Sequence, residues 1–369
     1  MNEAEDNLKA FSNGDPDESL GSKTHRTDLL RVAFPLEFRE GAHNAVTTCL
    51  GIQQDEKVTL ITDRSCITIA ASIAGELDRL GCVWNGFILE ELASRPLVGM
   101  PTAVLEDMES SQVSIFAVEV QPNELRSRME MTDVVNRRRM RHAHMVNITP
   151  QIMMQGMRAD FRKIDRLSQF VLDKVRRATY IRATTPAGTD ILAEMNPEYR
   201  WFKTSGIIST EKWGNLPGGE CFTAPAEVNG VFVVDGVVGD FLCKEYGLLI
   251  DQPLTIHIEG NRIVRVSCPN KKLEKDFWAY THTDENSDRV GEFAIGTNIG
   301  VEAVIGNILQ DEKFPGVHIA FGDPYGAHTG AKWKSSTHID VVGLRFSIWL
   351  GDADGEEQIM RDGTFLIGA

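Results

Sequence analysis

The sequence lacks long hydrophobic runs. No window of its 369 residues approaches the roughly 20 apolar residues of a membrane-crossing helix. Its first residues carry no apolar stretch of the secretory kind. The expectation is therefore a cytoplasmic protein with no membrane partner. Basic charge is also scarce. Thirty-eight Lys and Arg stand against 53 Asp and Glu, a net charge of -15. Phosphate neutralisation needs a basic surface, so nucleic acid is not expected as a partner. The six cysteines, at 49, 66, 82, 221, 243 and 268, form no CxxC pair. They read as reduced thiols rather than a disulfide framework. The familiar short motifs are missing as well. There is no HExxH helix, no GxxxxGK phosphate loop, no GxGxxG turn and no GxSxG elbow.

What is present is the balance of a globular protein, with 42% hydrophobic and 25% charged residues. The length allows two or three domains and a large core. Residues 1–27 are polar and aperiodic and read as a flexible acidic tail. Residues 28–178 read as an α/β domain with a parallel sheet. Strand-like Lys57–Thr62 and the segments 83–91 and 113–120 alternate with helical Ile67–Leu80 and 101–111. The spacing predicts a helix over 126–141, a strand over 145–149 and one long helix over 150–178. From residue 179 glycine punctuates β-rich runs such as 230–241, 254–260 and 262–267. A helix is expected over 300–310. Residues 179–369 read as an α+β domain with a curved, mostly antiparallel sheet that carries the chemistry.

Candidate chemistry concentrates between residues 215 and 343. Glu220 follows Pro217-Gly218-Gly219, where the backbone can approach a neighbour closely. Glu292 lies between Gly291 and the apolar run Phe293-Ala294-Ile295-Gly296, an odd place for an unpartnered charge. His318 lies in an apolar strand-like run and should point inward. His338 and Asp340 are two apart, which on a strand puts both on one face. Singly, each has an ordinary explanation as a core histidine or a turn carboxylate. Together, three carboxylates and two imidazoles suit Zn, Co or Mn in a paired site.

Four segments carry a resemblance: PGGECFTAPAE, GEFAIGTN, GNILQDEKFPGVHIAFG and SSTHID, in that order over about residues 215–342. They resemble the M29 family of metallo-aminopeptidases, the group of aminopeptidase T and aminopeptidase S. The resemblance implies a two-domain fold and a homodimer that encloses its active sites. It implies two divalent cations held by Glu220, Glu292, His318, His338 and Asp340. It implies hydrolysis of N-terminal residues from peptides. Tyr325 would donate to the oxyanion, and Glu292 is the favoured bridge. Asp323, Asp311 and Glu312 are candidates to orient the imidazoles, although the last two also read as a solvated loop. Some relatives of this fold resemble ring-cleaving dihydroxypyridine dioxygenases. On that reading His318, His338 and Asp340 hold one Fe(II), and Glu220 and Glu292 line the pocket. A non-catalytic binding protein is the third reading. His142 and His144 read as structural or surface residues, and 137–141 as a solvated helix face.

Overall fold

The computed structural model describes residues 26–366. A parallel sheet in the strand order Val83–Ile88, Lys57–Thr62, Val113–Val118, Arg141–Val146, Gly214–Asn215 organises the first half, with its last, two-residue edge strand supplied by the second half. The central strands are almost wholly buried, which suits a sheet covered on both faces. Helix Ile67–Leu80 turns Ile69, Ala70, Ile73, Ala74 and Leu77 into that core. It stops where Gly81 adopts φ 79°.

The second half carries two antiparallel sheets rather than one. The larger contains Tyr180–Thr184, Asp190–Glu194, Glu227–Val234 and Leu254–Glu259 among its eight strands. The smaller has the order His338–Val342, Gly316–Gly322, Val290–Gly296, Glu220–Thr223, Phe202–Thr204. One apolar core joins them, with Ile181, Phe232 and Ile256 from the larger and Phe293, Ile319 and Val341 from the smaller. The α/β plus α+β class therefore holds. Helix Phe161–Val175 contributes Phe161 and Ile164 to the first core and Val171, Leu172 and Val175 to the second.

Three expected elements differ. The helix expected over 126–141 runs Leu125–Arg138 and ends at Arg139, whose φ is 52°. The next strand therefore starts at Arg141 and takes in both His142 and His144. The long helix over 150–178 is broken. Pro150–Met154 ends early, a short turn follows, and Asp160 caps a new helix by accepting from the Lys163 N–H at 2.9 Å. Of 300–310 only Ile308–Asp311 is helical. The Asp311 carboxylate accepts the N–H groups of Ile305, Gly306 and Asn307 and holds a loop instead.

All six cysteines are buried and free. Among the described residues no helix is long and apolar enough to cross a membrane.

Candidate metal centre

The smaller sheet separates polar from apolar by strand alternation. Cys221, Phe293, Ile295, Val317, Ile319, Phe321, Ile339 and Val341 face the shared core. Glu220, Glu292, His318, His338 and Asp340 alternate with them. Register places a small residue directly opposite each of the five. Glu220 pairs with Gly296, His318 with Ala294, and His338 with Gly322, while Glu292 and Asp340 flank Ala320. Five long polar side chains can therefore lean together over a floor of Ala and Gly. A bulge makes this possible. Val290 and Phe293 both face the core because Gly291 is an extra residue in the strand. A Cβ on Gly291 would lie 2.6 Å from the Gly322 carbonyl oxygen. Gly219 has the same kind of constraint, since its Cβ would lie 2.6 Å from the Asn298 Cβ.

The five side chains converge. Glu292 reaches both imidazoles: its Oε1 is 3.4 Å from His318 Nε2 and its Oε2 is 3.5 Å from His338 Nε2. Glu220 Oε2 is 3.5 Å from His318 Nε2, and Asp340 Oδ1 is 3.5 Å from His338 Nε2. Potential ligand atoms of Glu220, Glu292 and His318 all lie within 4.8 Å of one another, as do those of Glu292, His338 and Asp340. The two groups share Glu292. Among the described residues, no such group unites His318, His338 and Asp340, the set required for a single Fe(II) triad.

Hydrogen bonds aim these side chains. His338 Nδ1 donates to the Asp323 carbonyl at 2.9 Å, which turns Nε2 inward. Asp323 thus orients an imidazole, through its backbone rather than its carboxylate. Glu220 Oε1 accepts from the Thr204 hydroxyl at 2.7 Å and pairs with Lys313 Nζ at 2.7 Å. Only Oε2 is left to face His318. The buried Lys313 also pairs with Glu312. This corrects the solvated-loop expectation for Asp311, Glu312 and Lys313: Asp311 and Lys313 are fully buried. Glu312 lies in a third group with His318 and Asp340, so it stands beside the ligands rather than behind them. Nothing in its spacing distinguishes it from a loop acid. Tyr325 packs its ring 4.3 Å from the His338 ring, with its outer edge open to solvent.

The electrostatics follow from burial and crowding. Burial opposes charge on His338, yet Asp340 and then Glu292 push its pKa up to about 10. Burial is likewise outweighed at His318, which Glu292 and Glu220 raise. Burial would lift the Glu220 carboxyl, but Lys313 and His318 bring it below its ordinary value. Glu312 is pushed up to about 8 by burial, with Asp340 and Glu220 adding to it against Lys313. The Tyr325 phenol is raised well above 10 by burial and by Asp340 and Glu292.

This donor set fits divalent cations. Nitrogen and carboxylate donors suit Zn, Co or Mn. The buried His318 Nε2 has no hydrogen-bond partner, as expected of an atom whose partner is an ion. Residues 160–365 match the family described as thermophilic metalloprotease (M29).

The chain belongs to the M29 metallopeptidase family.

Membership makes it a metal-dependent hydrolase by family. Two solved structures share its fold. The 2,5-dihydroxypyridine dioxygenase from Pseudomonas putida KT2440 superposes with a TM-score of 0.65 at 15% identity, over 91% of this chain and 99% of that one. Wild-type AmpT from Thermus thermophilus gives 0.63 at 16% identity, over 91% of this chain and 100% of that one. At such identities both are likenesses of fold. No curated protein matches the chain.

Proposed function

We propose that this M29 protein is an aminopeptidase-like enzyme that removes N-terminal residues from peptides with a pair of divalent cations. The observation that carries this is the shared carboxylate: two three-residue ligand groups meet at Glu292, which presents one oxygen to each histidine. Glu220 and His318 complete one cation position, and His338 and Asp340 the other. A cation pair bound there supplies a water ionised at neutral pH and polarises the scissile carbonyl. Glu292 would be the one ligand common to both cations. Lys313 and Thr204 hold Glu220 so that it offers one oxygen. Tyr325, with its ring 4.3 Å from that of His338, is placed to donate its hydroxyl to a developing oxyanion. The enzyme is proposed to act as a homodimer in the cytoplasm, with peptides or small molecules as substrates and neither nucleic acid nor membrane as partner.

Metal analysis of the purified chain, followed by a screen of aminoacyl amides, tests this reading. Two Zn, Co or Mn per chain and cation-dependent hydrolysis are expected. One oxidisable iron per chain with oxygen uptake on dihydroxypyridines would establish the dioxygenase reading instead. Light scattering on the eluted protein tests the dimer.

A further inference from the structure

A row of aromatic rings runs outward from the metal centre, and neither the ligand set nor the core accounts for it. In the smaller sheet Phe202 pairs with Phe222, Phe222 with Ala294, and Ala294 with His318. Phe222 is two residues beyond Glu220, so it stands on the ligand-bearing face and not the core face. The rings follow one another: Tyr325 is 4.3 Å from His338, Phe222 6.4 Å from Tyr325, Phe202 5.8 Å from Phe222, and His328 5.2 Å from Phe202. Exposure is greatest at the two ends of the row and least in its middle. Phe222 is buried, Phe202 half-buried, and Tyr325 and His328 exposed. Two segments are pinned together to make it. The Arg200 N–H donates to the Thr329 carbonyl at 2.9 Å, and its guanidinium donates to the Ala327 carbonyl at 3.1 Å. The outer end is basic: Lys212 Nζ lies 5.2 Å and the Arg200 guanidinium 5.9 Å from the Phe202 ring centre.

We propose that this row is the subsite for the side chain of the substrate's first residue, and that it takes aromatic and large aliphatic side chains in preference to cationic ones. The inference rests on the aminopeptidase reading. A side chain anchored at the cations by its own carbonyl would meet the Tyr325 ring beside His338 first, with Phe222 and Phe202 following at ring spacings of 6.4 and 5.8 Å. Apolar contact there separates a phenylalanyl or leucyl substrate from an alanyl one by about 10–100-fold. Lys212 and Arg200 repel an arginyl or lysyl side chain that reaches the same place.

The test uses the full chain loaded with its cation and the p-nitroanilides of Phe, Leu, Ala, Arg and Glu. Phe and Leu are expected to exceed Ala and Arg in kcat/KM by about 10–100-fold. In Phe202→Ala the Phe-to-Ala ratio should fall about tenfold, chiefly through KM, and Phe202→Leu should restore most of the leucyl preference. Calorimetric binding of L-phenylalaninol gives a readout without turnover and should weaken in Phe202→Ala. Equal or faster turnover of the Arg or Glu substrate overturns the subsite, as does a Phe202→Ala variant that loses Phe and Ala turnover alike. Binding of cations without hydrolysis of any aminoacyl substrate has a different meaning: the aminopeptidase reading then falls, and the subsite with it.

Discussion

Among the described residues two pairs of neighbouring histidines lie inside the fold, and their surroundings differ in every respect that matters. His142 and His144 lie on the parallel sheet, where His142 Nδ1 meets the Ser114 hydroxyl at 2.8 Å and Nε2 meets His144 Nδ1 at 3.0 Å. Phe116 stacks on His144, and Trp213 stands edge-on to His142. Among the described residues no carboxylate is hydrogen-bonded or ion-paired to either ring, and burial pushes His142 down to about 3. His318 is as deeply placed and His338 is half-buried, but each faces two carboxylates, and both pKa values rise. The first pair satisfies itself with neutral hydrogen bonds. The second leaves a buried nitrogen, His318 Nε2, without a hydrogen bond although two carboxylate oxygens lie 3.4 and 3.5 Å away. Burial alone therefore does not mark a site; buried imidazole with surplus carboxylate does.

The largest expected break in this comparison comes from Glu292→Ala. It removes the one group common to both cation positions, so calorimetry should detect no tight cation binding. Turnover should fall by roughly a thousandfold or more, about 4 kcal/mol of barrier. His144→Phe, at the other pair, should leave cation content unchanged. Cation binding retained in Glu292→Ala would show that the two positions are independent. Next in size is Lys313→Met. It leaves Glu220 and Glu312 buried without their ammonium, and the cation-free protein should lose about 3–5 kcal/mol in urea unfolding. Added cation should recover part of that loss. An unchanged unfolding midpoint would contradict the role given to Lys313.

How far the sequence reaches is clear from particular residues. Glu220, Glu292 and His338 were legible because each sits beside glycine or two residues from another donor, and strand period then fixes their face. The parallel sheet was legible from its apolar runs. Lys313 and Glu312 were not, because a buried ion pair and a solvated one have the same local pattern. The apolar spacing of 300–306 fits a helix, but a carboxylate five or six residues on captures the N–H groups of Ile305 and Gly306 and holds a loop. The break before Phe161 has one local sign, Asp160, which is a good cap. Helical periodicity on both sides outweighed one capping residue. The surface half of the expectation for His142 and His144 fails for a similar reason. Their arginine-rich flank ends in the left-handed turn at Arg139, and the strand then dives into the sheet.

A smaller effect is expected where the bulge aims Glu292. In Gly291→Ala the new Cβ would crowd the carbonyl oxygens of Gly322 and Asp323, at 2.6 and 2.8 Å. The Asp323 carbonyl also orients His338, so strain there disturbs both a carboxylate and an imidazole. Destabilisation of about 1–3 kcal/mol is expected, with cation affinity weakened about tenfold on the scale of other groups that orient ligands. Unchanged affinity would show that the bulge does not set the ligand geometry.

The gentlest probe is pH, which should pull the two histidine pairs in opposite directions. His338 has a folded pKa of about 10 against an ordinary value near 6.5, and His318 is raised as well. Their protonated forms stabilise the cation-free fold. That contribution is complete below about pH 6.5 and is lost as pH rises toward 10. His142 falls to about 3 and His144 is lowered too, so their neutral forms are the stabilising ones. Their contribution is present above about pH 6.5 and is lost as pH falls toward 3. Each proton sets a limiting slope of about 1.4 kcal/mol per pH unit. Urea unfolding of the cation-free protein should therefore show both limbs. His338→Asn should flatten the alkaline one and His142→Asn the acid one. Saturating cation should erase the alkaline limb alone, because the ion then holds the imidazoles deprotonated and is released only on unfolding. An alkaline limb that persists in the cation-loaded protein would mean that His318 and His338 are not where the ion binds.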